Sequence, residues 1–167
     1  MLRGITIIGG ADGPTALFLA GQLGFGWINL FDLILVILLL IPNIVYALKN
    51  RDEQNKCQNR IMNILEQIGR YGCMFLMIFN IGIAEFGFLS VGAFLVYLFG
   101  SILLMISYWI TWVLYFRKKT YGRQIALAVI PTILFLLCGI TMLHILLIIF
   151  AVLFGIAHIY VTNKNRV

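Results

Sequence analysis

Residues 27–48 read WINLFDLILVILLLIPNIVYAL, and residues 49–60, directly after them, read KNRDEQNKCQNR. The first stretch carries one charged residue, Asp32, in an otherwise apolar run. At 1.5 Å per residue a helix over it would be about 33 Å long, close to the thickness of a bilayer's hydrocarbon core. In the second stretch half of the residues are charged, and they alternate with amides. An apolar run of that length ending so abruptly in charge reads as a helix leaving lipid for water. The fold class follows from this junction.

The pattern repeats along the chain. Apolar runs recur at about 61–83, 88–116, 125–141 and 143–161, separated by short polar or turn segments. The second of the five spans starts near Ile61 and enters lipid only after Arg70. Of the 167 residues, 62% are hydrophobic and 11% charged, with a mean hydropathy of +1.04. A soluble domain of this size needs far more polar surface to cover itself. The expected architecture is therefore all-α, a polytopic transmembrane helical bundle of five spans over 27–167, preceded by a separate segment at 1–26. Residues 4–24 are long enough to be a sixth span or a re-entrant turn.

Charge then orients the bundle. Twelve Lys and Arg against six Asp and Glu give a formal charge of +6. They cluster as Lys49, Arg51, Lys56 and Arg60, as Arg117, Lys118, Lys119 and Arg123, and as Lys164 and Arg166. The alternate connections, GIAEFGF and GITMLH, contain neither Lys nor Arg. If the spans alternate, all three basic segments share one side, which the positive-inside rule makes cytoplasmic, together with the C-terminus. The expected location is the cell membrane, with lipid headgroups as the partners of the basic residues. Nucleic acid is not an expected partner, because no basic face with interleaved aromatics remains outside the loops. A homo-oligomer or other membrane subunits are the protein partners this class admits.

Cys57, Cys73 and Cys138 are an odd, scattered set with no CxxC spacing, which reads as free thiols rather than a disulfide framework or a zinc site. Asp12 and Pro14 interrupt the apolar region that a cleavable signal would need.

Residues 8–18, IGGADGPTALF, set an aspartate beside a helix breaker in an apolar context. Pro14 lacks a backbone donor and disfavours the helical region for Gly13, so a break is expected between Gly9 and Pro14, with a helix resuming from Pro14. Gly9, Gly10 and Gly13 permit unusual backbone conformations there. The freed carbonyls, the Asp12 carboxylate and the Thr15 hydroxyl form a set of hard oxygen ligands for a small cation. A plainer reading stands beside this one, in which Asp12 caps a helix that begins at Pro14.

IGGADGPTALFLAG resembles a motif of the membrane-embedded beta subunits of sodium-translocating decarboxylases. The resemblance implies a discontinuous helix and a sodium ion held around Asp12, with Gly9, Gly10, Gly13, Pro14 and Thr15 as its frame. It covers about residues 4–24, and neither a second broken helix nor a biotin-carrier lysine motif accompanies it. Residues from about Leu30 onward resemble small bacterial multi-span membrane proteins, a resemblance that implies no activity.

The remaining polar residues within spans are candidates for a pocket or gate. Asp32 and Asn43 are eleven residues apart, three helical turns, and so share a face. Asp32 lies near the outer end of its helix, within reach of interfacial water, and Asn43 follows Pro42 and can cap freed carbonyls. Glu66 and Arg70 form an i, i+4 pair, either an interfacial ion pair or an inner gate. Asn80 and Glu85 mark the outer end of the second span. Pro131–Thr132 interrupts the fourth span, and Thr132 can bond the exposed carbonyls. His144 and His158, at opposite ends of the fifth span, read as interfacial histidines.

No arrangement for nucleophilic catalysis, phosphate binding or paired-carboxylate chemistry has useful spacing, so an enzyme is not the expected reading. The favoured reading is a small membrane protein that binds or conducts a monovalent cation, sodium first, around Asp12. The alternatives are an accessory or structural membrane subunit without transport, and the membrane subunit of a sodium-pumping decarboxylase.

Overall fold

The structure is a computed structural model that describes residues 28–51, 55–79, 81, 88 and 90–166. The break at Gly9–Pro14, the 4–24 segment, Asn80 and Glu85 lie outside the described residues. Among the described residues five helices form: α1 Leu30–Lys49, α2 Arg60–Ile78, α3 Val91–Arg117, α4 Tyr121–Thr141 and α5 Ile145–Lys164. The all-α bundle expected from the apolar runs is the fold observed.

The count of spans changes. Among the described residues four helices, α1, α3, α4 and α5, are long and apolar enough to cross a membrane. Helix α2 is not among them, and it ends at Ile78 rather than near Ile83. Arg60, Glu66 and Arg70 occupy its first three turns, which leaves only residues 71–78 as an unbroken apolar run, far short of the 20 or so residues a span needs. Helix α2 is amphipathic, and it packs its buried face, Glu66, Gly69, Cys73, Leu76 and Met77, against the bundle.

Local chemistry starts most of these helices. Asn29, Asn59 and Ser90 accept hydrogen bonds from the backbone N–H of Asp32, Met62 and Ala93, which satisfies donors that a first turn leaves open. His144 does the same for α5, its Nδ1 accepting from the Leu147 N–H at 3.0 Å. Helix α4 ends in a Schellman turn: the His144 N–H donates to the Gly139 carbonyl and the Leu143 N–H to that of Ile140. Leu143 sits there at φ 52°, a left-handed position usually taken by glycine.

Small residues set the helix packing. A Cβ on Gly69 would lie 2.8 Å from the Cα of Phe154, and one on Gly72 would lie 2.2 Å from the Phe150 ring. Glu66, Gly69 and Gly72 thus meet His158, Phe154 and Phe150 in order, so α2 and α5 run antiparallel at close quarters. Gly155 faces Thr132 of α4, and Gly139 faces Ile148, so α5 is held between α2 and α4. Close approach over small residues is the usual way helices associate where lipid competes equally for apolar side chains.

Helices α1 and α3 run parallel. The Tyr97 hydroxyl donates to Asp32 Oδ1 at 2.7 Å, and Asn43 Nδ2 donates to the Tyr108 hydroxyl at 2.8 Å, both across 65 residues. Two contacts with one offset require the helices to advance together. Polar groups also serve the proline sites. Asn43 Nδ2 donates to the Leu39 carbonyl and Thr132 Oγ1 to that of Ala128, each one residue along from the carbonyl that Pro42 or Pro131 leaves without its donor.

The three basic segments meet at one end of the bundle. Asn165 accepts from the Lys56 N–H at 2.6 Å and donates to Asn55, the Lys119 ammonium donates to Asn50, and the Tyr121 hydroxyl donates to Asn163. Aromatic rings line that end, with Lys49 over Phe116, Lys119 over Tyr46 and Arg166 over Tyr121. At the opposite end the Asn29 N–H donates to the Ile78 carbonyl, and Asn29 Nδ2 reaches Met142 Sδ at 3.6 Å.

Candidate functional site

Helix α3 turns its polar side inward. Tyr97, Ser101, Tyr108, Trp112 and Tyr115 are buried, whereas Val96, Phe99, Leu103, Ile106 and Ile110 are exposed on the far side. An inverted helix of this kind shows lipid its apolar face and keeps polar groups for the bundle interior. Three of the polar residues singled out from the sequence meet partners on other helices: Asp32 and Glu66 are buried, while Asn43 is exposed and reaches Tyr108 from the rim of α1.

Asp32 lies two residues into α1, at the end opposite the basic segments. It is 1% exposed, so it does not reach interfacial water as its position near a helix end implied. The Tyr97 hydroxyl donates to Oδ1, and Asn29 Nδ2 donates to Oδ2 at 3.1 Å. The Cys138 thiol of α4 also faces the carboxyl group. Three helices and a capping residue therefore enclose one acid. Neither of the side-chain ion pairs among the described residues includes Asp32.

That isolation has a chemical consequence. An ionised carboxylate buried without a counter-charge costs several kcal/mol, and such a group persists in a fold only when neutral or matched by a cation. The Asp32 carboxyl group has hydrogen-bond donors but no ion-pair partner among the described residues. The oxygens of Asp32, Tyr97 and Asn29 are hard donors, which suit an alkali ion better than a soft metal. No cluster of three or more His, Cys, Asp or Glu residues suited to a metal ion occurs among the described residues.

Asn43 meets Tyr108 about three turns further along, roughly 16 Å from Asp32 at 1.5 Å per residue. The shared face expected for Asp32 and Asn43 is real, and it is directed at α3.

Glu66 and Arg70 form the third group, toward the basic end. Glu66 is 6% exposed and its Oε1 accepts from the Arg70 guanidinium. The same oxygen lies 2.8 Å from Nδ1 of His158 on α5. His158 stacks on Phe154 with ring centroids 4.7 Å apart. Antiparallel packing over Gly69 brings His158, near the basic end of α5, within reach of this buried acid. His144 is a buried helix cap at the start of α5, and burial holds it below the ordinary imidazole range. A neutral ring is what its accepting Nδ1 requires.

The structure brings Asp32 to Tyr97, Asn43 to Tyr108, and Glu66 and Arg70 to His158. It does not bring Asp32 to Glu66, which lie toward opposite ends. Asp12, Gly9, Gly10, Gly13, Thr15 and Asn80 belong to the undescribed residues. Tyr97 escaped sequence reasoning, and Cys138 and His158, read there as a free thiol and an interfacial histidine, were not linked to these acids. One signal for the first was available, since Tyr97 and Tyr108 repeat the eleven-residue spacing of Asp32 and Asn43. For Cys138 and His158 only the tertiary fold supplies the partner.

Neither a protein-family model nor a curated protein matches the chain, and no solved structure matches it.

Proposed function

We propose that this chain is a multi-pass membrane protein that binds or conducts a monovalent cation, sodium first, at the end of the bundle where α1 begins. The observation that carries the reading is Asp32, a carboxyl group 1% exposed, held by Tyr97 and Asn29 and outside the ion pairs of the described residues. Ionisable groups at such depth are costly and are functional by default. Asp12 supplies the principal ligand in this proposal, on the strength of GGADGPT and its resemblance to the decarboxylase beta subunits. Asp32 lies 20 residues further on, at the start of the next helix, and acts as the second acid on the ion's route.

Thermal unfolding of the purified protein in sodium, potassium, lithium and choline chlorides tests this. Sodium at one hundred times its dissociation constant should stabilise the protein by about 2.7 kcal/mol. Asp12→Asn keeps a capping side chain, and should fold yet lose that response. If no alkali ion stabilises the wild type, or if Asp12→Asn responds in full, the ion site is wrong and the accessory-subunit reading takes its place.

The basic end is assigned to the cytoplasm, because all three Lys- and Arg-rich segments gather there. A phosphatase or fluorescent reporter fused after Val167 should report a cytoplasmic C-terminus. An external report would reverse the direction in which the ion faces Asp32.

A further inference from the structure

We propose that the outer face of α2 is a lipid surface: Ile61, Ile64, Ile68, Tyr71 and Phe75 lie against acyl chains, and α2 crosses the bilayer with its charges turned toward the bundle. Composition leaves α2 out of the spans, and the sequence alone places its entry into lipid after Arg70. The lipid surface instead begins three turns earlier, at Ile61. It does not rest on cation binding at Asp12 or Asp32.

Connectivity requires a crossing between α1 and α3. The two helices run parallel, so the end of α1 and the start of α3 lie at opposite ends of the bundle. Lys119 reaches Asn50 at the basic end, while Phe88 packs on Tyr97, the partner of Asp32, at the other. The chain between Asn50 and Phe88 must return across the molecule, and α2 is the helix among the described residues that lies in this interval. Its first turn meets the basic end, where Asn63 accepts from Asn55 and Asn55 accepts from Asn165. Its last residue, Ile78, accepts from the Asn29 N–H at the opposite end. Its 19 residues span about 28 Å, close to the hydrocarbon thickness.

A helix lying flat on a membrane surface would cross the spans at a steep angle. Helix α2 does not, because Glu66, Gly69 and Gly72 meet His158, Phe154 and Phe150 in turn. It follows α5, a helix apolar enough to span, so the side of α2 away from α5 meets the same medium. Six residues from Ile61 to Phe75 are exposed, and all but Gln67 are apolar or aromatic. Those five recur every three or four residues, a stripe opposite the buried Glu66, Gly69 and Cys73. Ile64 and Ile68 are 51% and 52% exposed, level with Ile106 at 53% on the apolar outer side of α3.

The charges that interrupt the apolar run stand away from this stripe. Glu66 is buried against α5, Arg70 pairs with it, and Arg70 also lies within electrostatic reach of the Tyr108 hydroxyl of α3. Ionisable groups are tolerated at membrane depth in that arrangement, paired and facing neighbouring helices. A run of some 20 apolar residues is what a helix needs when lipid surrounds it. Helix α2 meets lipid on one side, so an apolar stripe suffices.

Spin-label accessibility in vesicles of phosphatidylcholine and phosphatidylglycerol tests this. The full chain carries Cys57→Ser, and Cys73 and Cys138, both fully buried, stay in place. Nitroxides are attached at Ile64→Cys and Ile68→Cys, and at two references, Ile106→Cys on α3 and Lys118→Cys, an exposed site at the basic end. Oxygen concentrates in hydrocarbon, whereas a nickel chelate stays in water. Labels at 64 and 68 should match the label at 106, colliding several-fold more with oxygen than with the chelate, and the label at 118 should show the reverse. Chelate access at 64 or 68 equal to that at 118 would put the stripe in water and overturn the proposal. Low collision with both reagents would mean that protein covers the stripe, a second copy or residues 4–24, and would overturn it as well. Tyr71→Cys takes the place of either α2 variant that fails to fold.

Discussion

Asp32→Ala should destabilise the folded protein by about 2 kcal/mol, with unfolding in detergent or bicelles as the measurement. The buried Tyr97 hydroxyl loses its acceptor, and the half-buried Asn29 amide is left with Met142 Sδ alone. Tyr97 is 2% exposed, so water does not replace the carboxylate there. An unsatisfied buried donor costs about 1–3 kcal/mol, and relief from burying the acid offsets part of that. Asp32→Asn keeps an acceptor for Tyr97 and should cost less than the alanine. Tyr97→Phe removes the stranded donor, so in that background Asp32→Ala should cost roughly 1 kcal/mol less, the scale of hydrogen bonds between membrane helices. Additive losses in this cycle would show that Asp32 and Tyr97 do not act as a pair. The alanine variant should also lose any sodium stabilisation that depends on this end of the bundle.

Gly69→Ala carries the second large effect, a loss of about 1 kcal/mol net. The added methyl would stand 2.8–2.9 Å from the Phe154 Cα, Cβ and backbone nitrogen. No rotamer relieves contacts with a backbone, so α2 and α5 must separate, and overpacking of this kind costs about 1–3 kcal/mol. The gain of roughly 1 kcal/mol in helix propensity from Gly to Ala offsets only part of it. Gly72→Ala should be milder, because its clash is with the Phe150 ring, which can turn. Gly122→Ala provides the control: nothing lies within 4 Å of its added Cβ, and it should stabilise α4 by about 0.5 kcal/mol. Equal effects at Gly69 and Gly122 would contradict the close antiparallel packing of α2 on α5. Separation of those helices should also lengthen the contact from His158 to Glu66.

The membrane class and most helix ends were legible in the residues themselves. Runs such as 27–48 and 88–116 exceed what a soluble core needs, and their ends coincide with charge, Pro or capping residues that act within a few positions. The grouping of the basic segments was legible too, because alternation of spans is a counting rule. The status of α2 was less so. Its length reads as a span, yet Arg60, Glu66 and Arg70 leave too short an apolar run, and treating its first turns as a cytoplasmic extension concealed that one of those charges is buried.

Which polar residues become sites was decided only by the tertiary structure. From the sequence, Asp32 at a helix end and His158 near another both lie within reach of water, since burial depends on what the neighbouring helices present. Tyr97 closes over Asp32 because α1 and α3 run parallel with one offset, and His158 meets Glu66 because Gly69 lets α5 approach. Those pairings join residues 65 and 92 positions apart, a separation at which local pattern carries no information about contact. The chain's own residues determined that it lies in lipid and which segments are helical. Helix packing determined which of its acids are removed from water and which side chains face them.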